Sequence, residues 1–228
     1  MNENIAIHWF RQDLRISDNP GLTLATKHVN VLPIYILDDE NAGEYIMGGA
    51  SRWWLYHSLA SLNKSLGYNL SVYQGNPIEV FDDISSRFEI NSIFWNRCYE
   101  PWRMIRDATI KDHLKKKGIY VESSNGSLLW EPWMIKKDDG IPYKVFTPFY
   151  LKGCLKAEQP REPLPPPSNI KYLRDNTGSV NLDQLKLLPN IRWDKKFEQH
   201  WEIGEAGAHK RFKQFLKEGL SQYKDGRN

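Results

Sequence analysis

The sequence predicts an α/β fold: a Rossmann-like, doubly wound, five-stranded parallel sheet with helices on both faces, followed by a long connector and one further helix. Three observations carry this. Short apolar, β-prone runs alternate with helix-period segments from Ile5 to Ser124, and such alternation demands a mainly parallel sheet. The 228 residues are long for one small domain and short for two large ones. At 40% hydrophobic and 26% charged, the composition is that of an ordinary globular chain.

Ile5-Ala-Ile-His-Trp-Phe10 opens as an apolar strand, and Val31-Leu-Pro-Ile-Tyr-Ile-Leu37 repeats its character one helix later. Pro33 removes a ladder donor, so its end of the second strand is expected away from the sheet centre. Between the two, Asn19-Pro20 starts a short helix ending near His28, which completes a βαβ unit. Ser51 is expected to cap the next helix, whose Leu55, Leu59, Leu62 and Leu66 follow the 3.6 period until Gly67. Asn69 to Gln74 forms the third strand, Asn76-Pro77 caps a helix over Ile78 to Phe88, and Ser92 to Asn96 is the fourth strand. Pro101 to Lys117 is a helix with a basic last turn stopped by Gly118, and Ile119 to Glu122 is the fifth strand.

Beyond Ser124 the alternation breaks. Asn125-Gly126 and Asp139-Gly140 mark turns. Thr147-Pro148 is expected to cap a helix from Phe149 to Ala157, and Gln159 to Pro167 reads as a stiff, extended, proline-rich connector. Gly204 to Leu216 is an amphipathic helix with Phe212, Phe215 and Leu216 on one side. The cover for that stripe is expected outside this sequence. The division is therefore residues 1–130 for the α/β domain, 131–203 for the closing helix and connector, and 204–228 for the start of a helical unit.

In an open α/β sheet, ligands bind beyond the carboxyl ends of the strands, near the point where strand order reverses. The loop after Phe10, Arg11-Gln-Asp13-Leu-Arg15, has neither G-x-G-x-x-G nor a P-loop, which removes the usual phosphate cradles. Arg11, Asp13 and Arg15 read first as an ion-pair network pinning the loop and second as ligand contacts. The loop after the fourth strand, Asn96-Arg-Cys-Tyr-Glu100-Pro-Trp, brings Cys98, Glu100 and three aromatics, counting Trp95, to the ligand edge. A planar heterocycle fits such a set, with rings stacking on its faces and Glu100 accepting from its N–H groups. Equally, Glu100 can pair with Arg103 or Arg106 on its own helix. Arg52 can add a cation.

The six histidines show no metal or nucleophile spacing, and no catalytic residue or metal ligand is expected in this chain. A net charge of +3 does not argue for nucleic acid by itself. Cys98 and Cys154, the two cysteines, form no cluster and suggest a reduced, cytoplasmic compartment. No apolar run approaches the roughly 20 residues of a membrane span, and Met1-Asn2-Glu3-Asn4 lacks the features of a signal peptide.

Several of these segments resemble one family in order along the chain. Trp9-Phe-Arg-Gln-Asp-Leu-Arg15 with Ser17-Asp-Asn-Pro20, the Trp95 to Pro101 loop with Arg106-Asp107, and Tyr143-Lys-Val-Phe-Thr-Pro-Phe149 are similar to the amino-terminal domain of the DNA photolyase and cryptochrome family. Gly204-Glu-Ala-Gly-Ala and Tyr223-Lys-Asp-Gly-Arg-Asn228 resemble the start of that family's all-helical second domain. The closest likeness is to cyclobutane pyrimidine dimer photolyases. The resemblance implies a blue-light-driven repair lyase that splits dimers in UV-damaged DNA by electron transfer from reduced FAD, with this part serving as the light-harvesting domain.

For site residues the resemblance implies Asp38, Arg52, Cys98 and Glu100 around an antenna chromophore, and Tyr223 near the FAD phosphates of the complete enzyme. The antenna would be a folate (methenyltetrahydrofolate) or a deazaflavin, or the pocket would be empty. FAD, lesion and DNA would be held by residues beyond Asn228, so this piece alone is expected to be inactive and without FAD, a monomer with no membrane partner. A cryptochrome photoreceptor without repair activity is the alternative. A free-standing Rossmann-type nucleotide-binding domain is a third reading.

Overall fold

The structure, a computed structural model, describes residues 4–226. The first three residues of the start read above, and the Arg227-Asn228 end of the last motif, lie outside the described residues. The chain enters at the centre of the sheet. β1 (Ile5–Phe10) is followed by α1 (Pro20–Ala25), β2 (Asn30–Leu37), α2 (Gly49–Ser65) and β3 (Ser71–Gln74). Then come α3 (Pro77–Arg87), β4 (Ile90–Asn96), α4 (Pro101–Lys116) and β5 (Tyr120–Ser124). All pairs are parallel, in the order β3-β2-β1-β4-β5. The winding runs outward from β1 to β2 and β3, then restarts on the other side with β4 and β5. Strand order therefore reverses between β1 and β4, as the doubly wound reading requires.

The period-two alternation of β1 sorts the two cores. Ile5, Ile7 and Trp9 pack with Phe81, Ile84, Ile110 and Leu114 of α3 and α4. Ala6 and Phe10 pack with Leu22, Ala25, Leu55, Leu59 and Leu62 of α1 and α2. The caps are those the sequence specifies: Asn19 Oδ1 accepts from Leu22 N at 3.0 Å and Asn76 Oδ1 from Ile78 N at 3.0 Å, each followed by a first-turn proline.

Three local expectations are corrected. Ser51 is not a cap: α2 begins at Gly49 after Gly48, and Ser51 lies exposed in its first turn. The segment after Thr147 is not a regular helix. A one-turn α5 (Phe146–Pro148) runs into wide turns over Phe149–Gly153 and tight ones over Cys154–Lys156. Its Phe146, Tyr150, Leu151 and Leu155 are all exposed, so no single apolar face docks to regularise it. Pro33 is buried within β2, which has β1 on one side and two partial ladders on the other. β6 (Lys171–Tyr172) pairs with Asn30 and Val31, while β3 pairs from Ile34 onward. The missing N–H of Pro33 falls in the gap between them, where no ladder bond is lost.

β6 shows that the connector is fastened to the sheet. Val180 bridges antiparallel to Val72, and Leu185 and Leu187 are buried in the α1/α2 core. Between these points the buried Asp175 accepts hydrogen bonds from Tyr73 Oη (2.7 Å), Arg87 Nη1 (2.6 Å), Thr177 N (3.0 Å) and Gly178 N (2.9 Å). Burial alone would raise its carboxyl, but the bonds from Gly178, Arg87, Tyr73 and Thr177 hold it far below the usual carboxylate range.

α6 (Glu205–Gln214) covers most of the helix predicted over Gly204 to Leu216, and Phe215 and Leu216 fall in the wide turn Phe215–Gly219 that continues it. Phe212, Phe215 and Leu216 are 58%, 37% and 49% exposed, so the stripe has little cover in this chain. Phe215→Ala is accordingly expected to change the unfolding free energy in urea by less than about 1 kcal/mol, against about 3–5 kcal/mol for a fully buried Phe.

Candidate functional site

The reversal point is closed by a buried ionic network. Arg11, at the end of β1, is 5% exposed; its Nη1 pairs with Asp107 of α4 and its Nη2 donates to the carbonyl of Asn96 at the end of β4. Arg106 donates to Asp38 after β2 (2.8 Å) and to Asp107 (2.9 Å). Two guanidiniums thus share Asp107, and the ends of β1, β2 and β4 are tied to one helix. Their planes also lie near the buried Trp9 ring, with Arg11 and Arg106 at 5.0 and 5.1 Å from its centroid. Asp13 accepts from Arg11 N (3.1 Å) and Asn96 Nδ2, and burial raises its carboxyl above the usual range against those bonds. Asn96 Oδ1 accepts from Gly21 N at 2.9 Å, where a Cβ would come within 3.0 Å of the Trp95 backbone. His8, fully buried beside Phe10, is held neutral with a pKa lowered to about 3 by burial and then by Arg11. The ion-pair reading is therefore the observed one for Arg11, whereas Asp13 is held by amide donors and makes no ion pair among the described residues.

Loop residues 11–18 divide the ligand edge into two crevices. The first, about 750 Å³, lies between this loop, Tyr35, Asp38, Trp54, Trp102, Arg103 and the first turns of α6. The second, about 530 Å³, lies between Gln12, Asp13 and Arg15 on one side and Asn96 to Glu100 with Gly126 and Ser127 on the other. Gln12 Nε2 donates to Glu100 Oε1 across the mouth at 3.0 Å.

Three of the five predicted site residues line these crevices, and Arg52 and Tyr223 line neither. Asp38 lines the first, with its carboxylate on Arg106. Cys98 and Glu100 line the second. Burial pushes the Cys98 thiol up, so it is a protonated, weakly polar wall. Glu100 also lies 3.5 Å from Arg103 Nε, the pairing foreseen as its bland role, whereas Arg106 turns to Asp38 and Asp107. Arg52 donates to Asp39 (2.7 Å) and the Met47 carbonyl (3.0 Å), anchoring the loop after β2 beside the first crevice. Tyr223 is 52% exposed and packs edge-on against Phe215 at 5.9 Å.

One expectation about the aromatics is corrected: Trp95 is not at the ligand edge. It is fully buried, packed edge-on against Trp9 at 5.5 Å, because its place in β4 points it into the α3/α4 core. Tyr99 donates to Glu131 (2.7 Å), and its pKa is pushed up to about 12 by burial and that bond. Sequence reading missed Trp54, Glu205 and His209 as crevice residues. Trp54 sits on a helix face that reads as ordinary amphipathic surface, and Glu205 meets its partners nearly two hundred positions upstream, where no local pattern points. Among the described residues, no helix is long and apolar enough to cross a membrane, and no group of three His, Cys, Asp or Glu could hold a metal ion.

Strand order, with two crevices at its reversal point, defines a doubly wound α/β domain. A family model described as DNA photolyase matches residues 6–168, and the chain belongs to that family. It is 38% identical over 229 residues to the deoxyribodipyrimidine photo-lyase of Agrobacterium fabrum, covering 97% of this chain and 47% of that protein. It is 33% identical over 226 residues to cryptochrome-2 of Arabidopsis thaliana, covering 95% and 37%. Among solved structures, a bacterial class III photolyase from Agrobacterium tumefaciens superposes with a TM-score of 0.90 at 34% identity, over 100% of this chain and 47% of that one. The chain thus spans about half the length, or less, of these relatives.

Proposed function

We propose that this chain is the amino-terminal part of a deoxyribodipyrimidine photo-lyase and that its first crevice binds a planar, light-absorbing antenna molecule, a folate or a deazaflavin. The observation that carries this reading is the crevice itself. Its volume of about 750 Å³ is within the range of small-molecule sites. Its walls combine flat rings (Tyr35, Trp54, Trp102) with cations (Arg15, Arg103). Trp102 is held in place by guanidiniums, with Arg103 at 4.6 Å and Arg106 at 5.1 Å from its ring centroid. Arg103 supplies a guanidinium at the crevice wall, with its Nε directed at the Glu100 carboxylate (3.5 Å).

When bound, such a molecule absorbs light and passes the excitation on. The chain's own part is to keep the ring system flat between aromatics and dry. Asp38 is a candidate acceptor for its N–H groups in the first crevice, Cys98 and Glu100 line the neighbouring one, and Arg52 fixes the adjoining loop. The proposed division goes with it: residues 1–130 for the antenna domain, 131–203 for the connector, which also packs onto the sheet through β6, and 204–228 for the start of the helical unit. In the complete protein, FAD would lie with its phosphates near Tyr223, and UV-damaged DNA would be the substrate, in the cytoplasm and as a monomer. The 38% identity to the Agrobacterium fabrum enzyme supports the repair reading.

To test the antenna site, the chain is titrated with methenyltetrahydrofolate and with a deazaflavin, and protein from its own host is extracted for mass spectrometry. Saturable binding of one of them is expected, and Trp102→Ala should weaken it about tenfold by removing a stacking face. Failure of both to bind a chain that circular dichroism reports as folded overturns the antenna role. The 33% identity to Arabidopsis cryptochrome-2 favours the second reading, a photoreceptor without repair. Following dimer content in UV-damaged DNA under blue light with the complete protein decides between them: dimers that persist despite bound, reduced FAD exclude repair.

A further inference from the structure

One wall of the first crevice comes from the far end of the sequence. Gly204, Glu205, Ala208 and His209, around the start of α6, face Ser17 and Asp18 of the loop after β1. The contact is a two-point grip: Glu205 Oε2 accepts from Ile16 N at 2.9 Å and Oε1 from Ser17 N at 3.0 Å. The side chain is 17% exposed, and His209 Nε2 stands 3.7 Å from Oε1. These bonds hold the Glu205 carboxyl below its usual range although burial works against them. The loop's two ends have separate anchors. Arg11 is bonded to Asn96 and Asp107. Asp18 N donates to the Leu164 carbonyl (2.9 Å) and Asp18 Oδ1 accepts from Leu164 N (3.1 Å). Between those anchors, Arg15 Nε donates to the Ser17 carbonyl (3.1 Å) and Asn19 Nδ2 to the Arg15 carbonyl (2.9 Å), while the Ile16 and Ser17 N–H groups are bonded, among the described residues, by Glu205.

We propose that Glu205 is a positioning residue for the crevice: by gripping the Ile16 and Ser17 amides it sets the loop's distance from α6 and makes ligand binding and the docking of α6 one coupled equilibrium. Because the loop ends stay anchored, losing the grip loosens the wall without unravelling the sheet. A wall that is ordered for only part of the time reduces apparent affinity by that fraction. Coupling is reciprocal, so a ligand spanning the crevice must tighten the grip in turn. The second half of the proposal rests on the antenna reading of this crevice; the grip itself does not.

The test uses the full chain and three variants: Glu205→Ala, Glu205→Gln, and Lys210→Ala as a control on the same helix, where Lys210 pairs with Glu202. Hydrogen exchange of the Ile16 and Ser17 amides is followed by NMR, and affinity for methenyltetrahydrofolate and a deazaflavin by titration. Glu205→Ala is expected to speed exchange at both amides at least about tenfold, the loss of two charge-assisted bonds. It should leave the β1 amides unchanged and weaken probe binding by about tenfold. Glu205→Gln, which keeps one acceptor oxygen, should fall between, and the control should match the unaltered chain. Probe added to the unaltered chain should slow exchange at both amides further. Equal exchange in the unaltered chain and Glu205→Ala overturns the grip. Faster exchange with unchanged probe affinity overturns the coupling. If the unaltered chain binds neither probe, the antenna reading and the coupling fail, and the grip is judged on amide exchange alone.

Discussion

Asp107→Ala is expected to destabilise the chain by about 3–5 kcal/mol, measured as a lower urea midpoint with an unchanged m-value. Asp107 is the shared anion of Arg11 and Arg106, both of which are at least nine-tenths buried. Its removal leaves Arg11 with one carbonyl acceptor and Arg106 with Asp38 alone. The cost is that of an uncompensated buried charge, much larger than the value of an exposed pair. A companion variant separates charge from space. Asp107→Asn keeps the volume and part of the hydrogen bonding, so it should lose less than Asp107→Ala but still well over 1 kcal/mol. A loss below about 1 kcal/mol in the alanine variant would show that water enters and solvates the guanidiniums, and that the crevice floor is not sealed. Because the same residues join the ends of β1, β2 and β4, ligand affinity should fall together with stability.

Asp175→Ala is expected to cost about 3 kcal/mol, since it strips an acceptor from Arg87, the Tyr73 hydroxyl and two backbone amides at once. Here pH gives a sharper signature. A carboxyl held below its unfolded value, about 4, contributes stability that is complete above that value and is lost as pH falls toward the folded one. The unaltered chain should therefore lose stability on acidification below about pH 5 more steeply than Asp175→Asn, and the two curves should converge in strong acid. Parallel curves would mean that Asp175 titrates alike in the folded and unfolded chains. Limited proteolysis gives a second readout: with the knot undone, cleavage should concentrate between Tyr172 and Leu187.

The parts of the fold legible in the sequence are those governed by short-range rules. Alternation of strand and helix, proline at the first turns of α1, α3 and α4, and the Asn19 and Asn76 caps each reflect physics within a few residues. The doubly wound parallel sheet followed from the same alternation, but the place of its reversal, between β1 and β4, is seen only in the structure. What escaped was long-range. β6 is two residues in a polar stretch, and nothing local marks Lys171 and Tyr172 as a strand. Trp95 looked like a ligand-edge aromatic because it precedes the loop, but the pleat sends it to the core. Of the site, Asp38, Cys98 and Glu100 do line crevices, yet the division of the ligand edge into two crevices depends on the path of loop residues 11–18, which no pattern encodes. The partners of Glu205 are equally silent, since a carboxylate bonded to backbone amides leaves no complementary side chain to find.

The central position of β1 has a consequence for how the protein is made. β1 takes β2 on one side within one short helix, but its other neighbour, β4, begins only at Ile90. Until then the nascent chain carries an open, apolar strand edge of the kind that invites misassembly. Parallel pairing of strands so distant in sequence makes closure of the β1–β4 ladder a slow step.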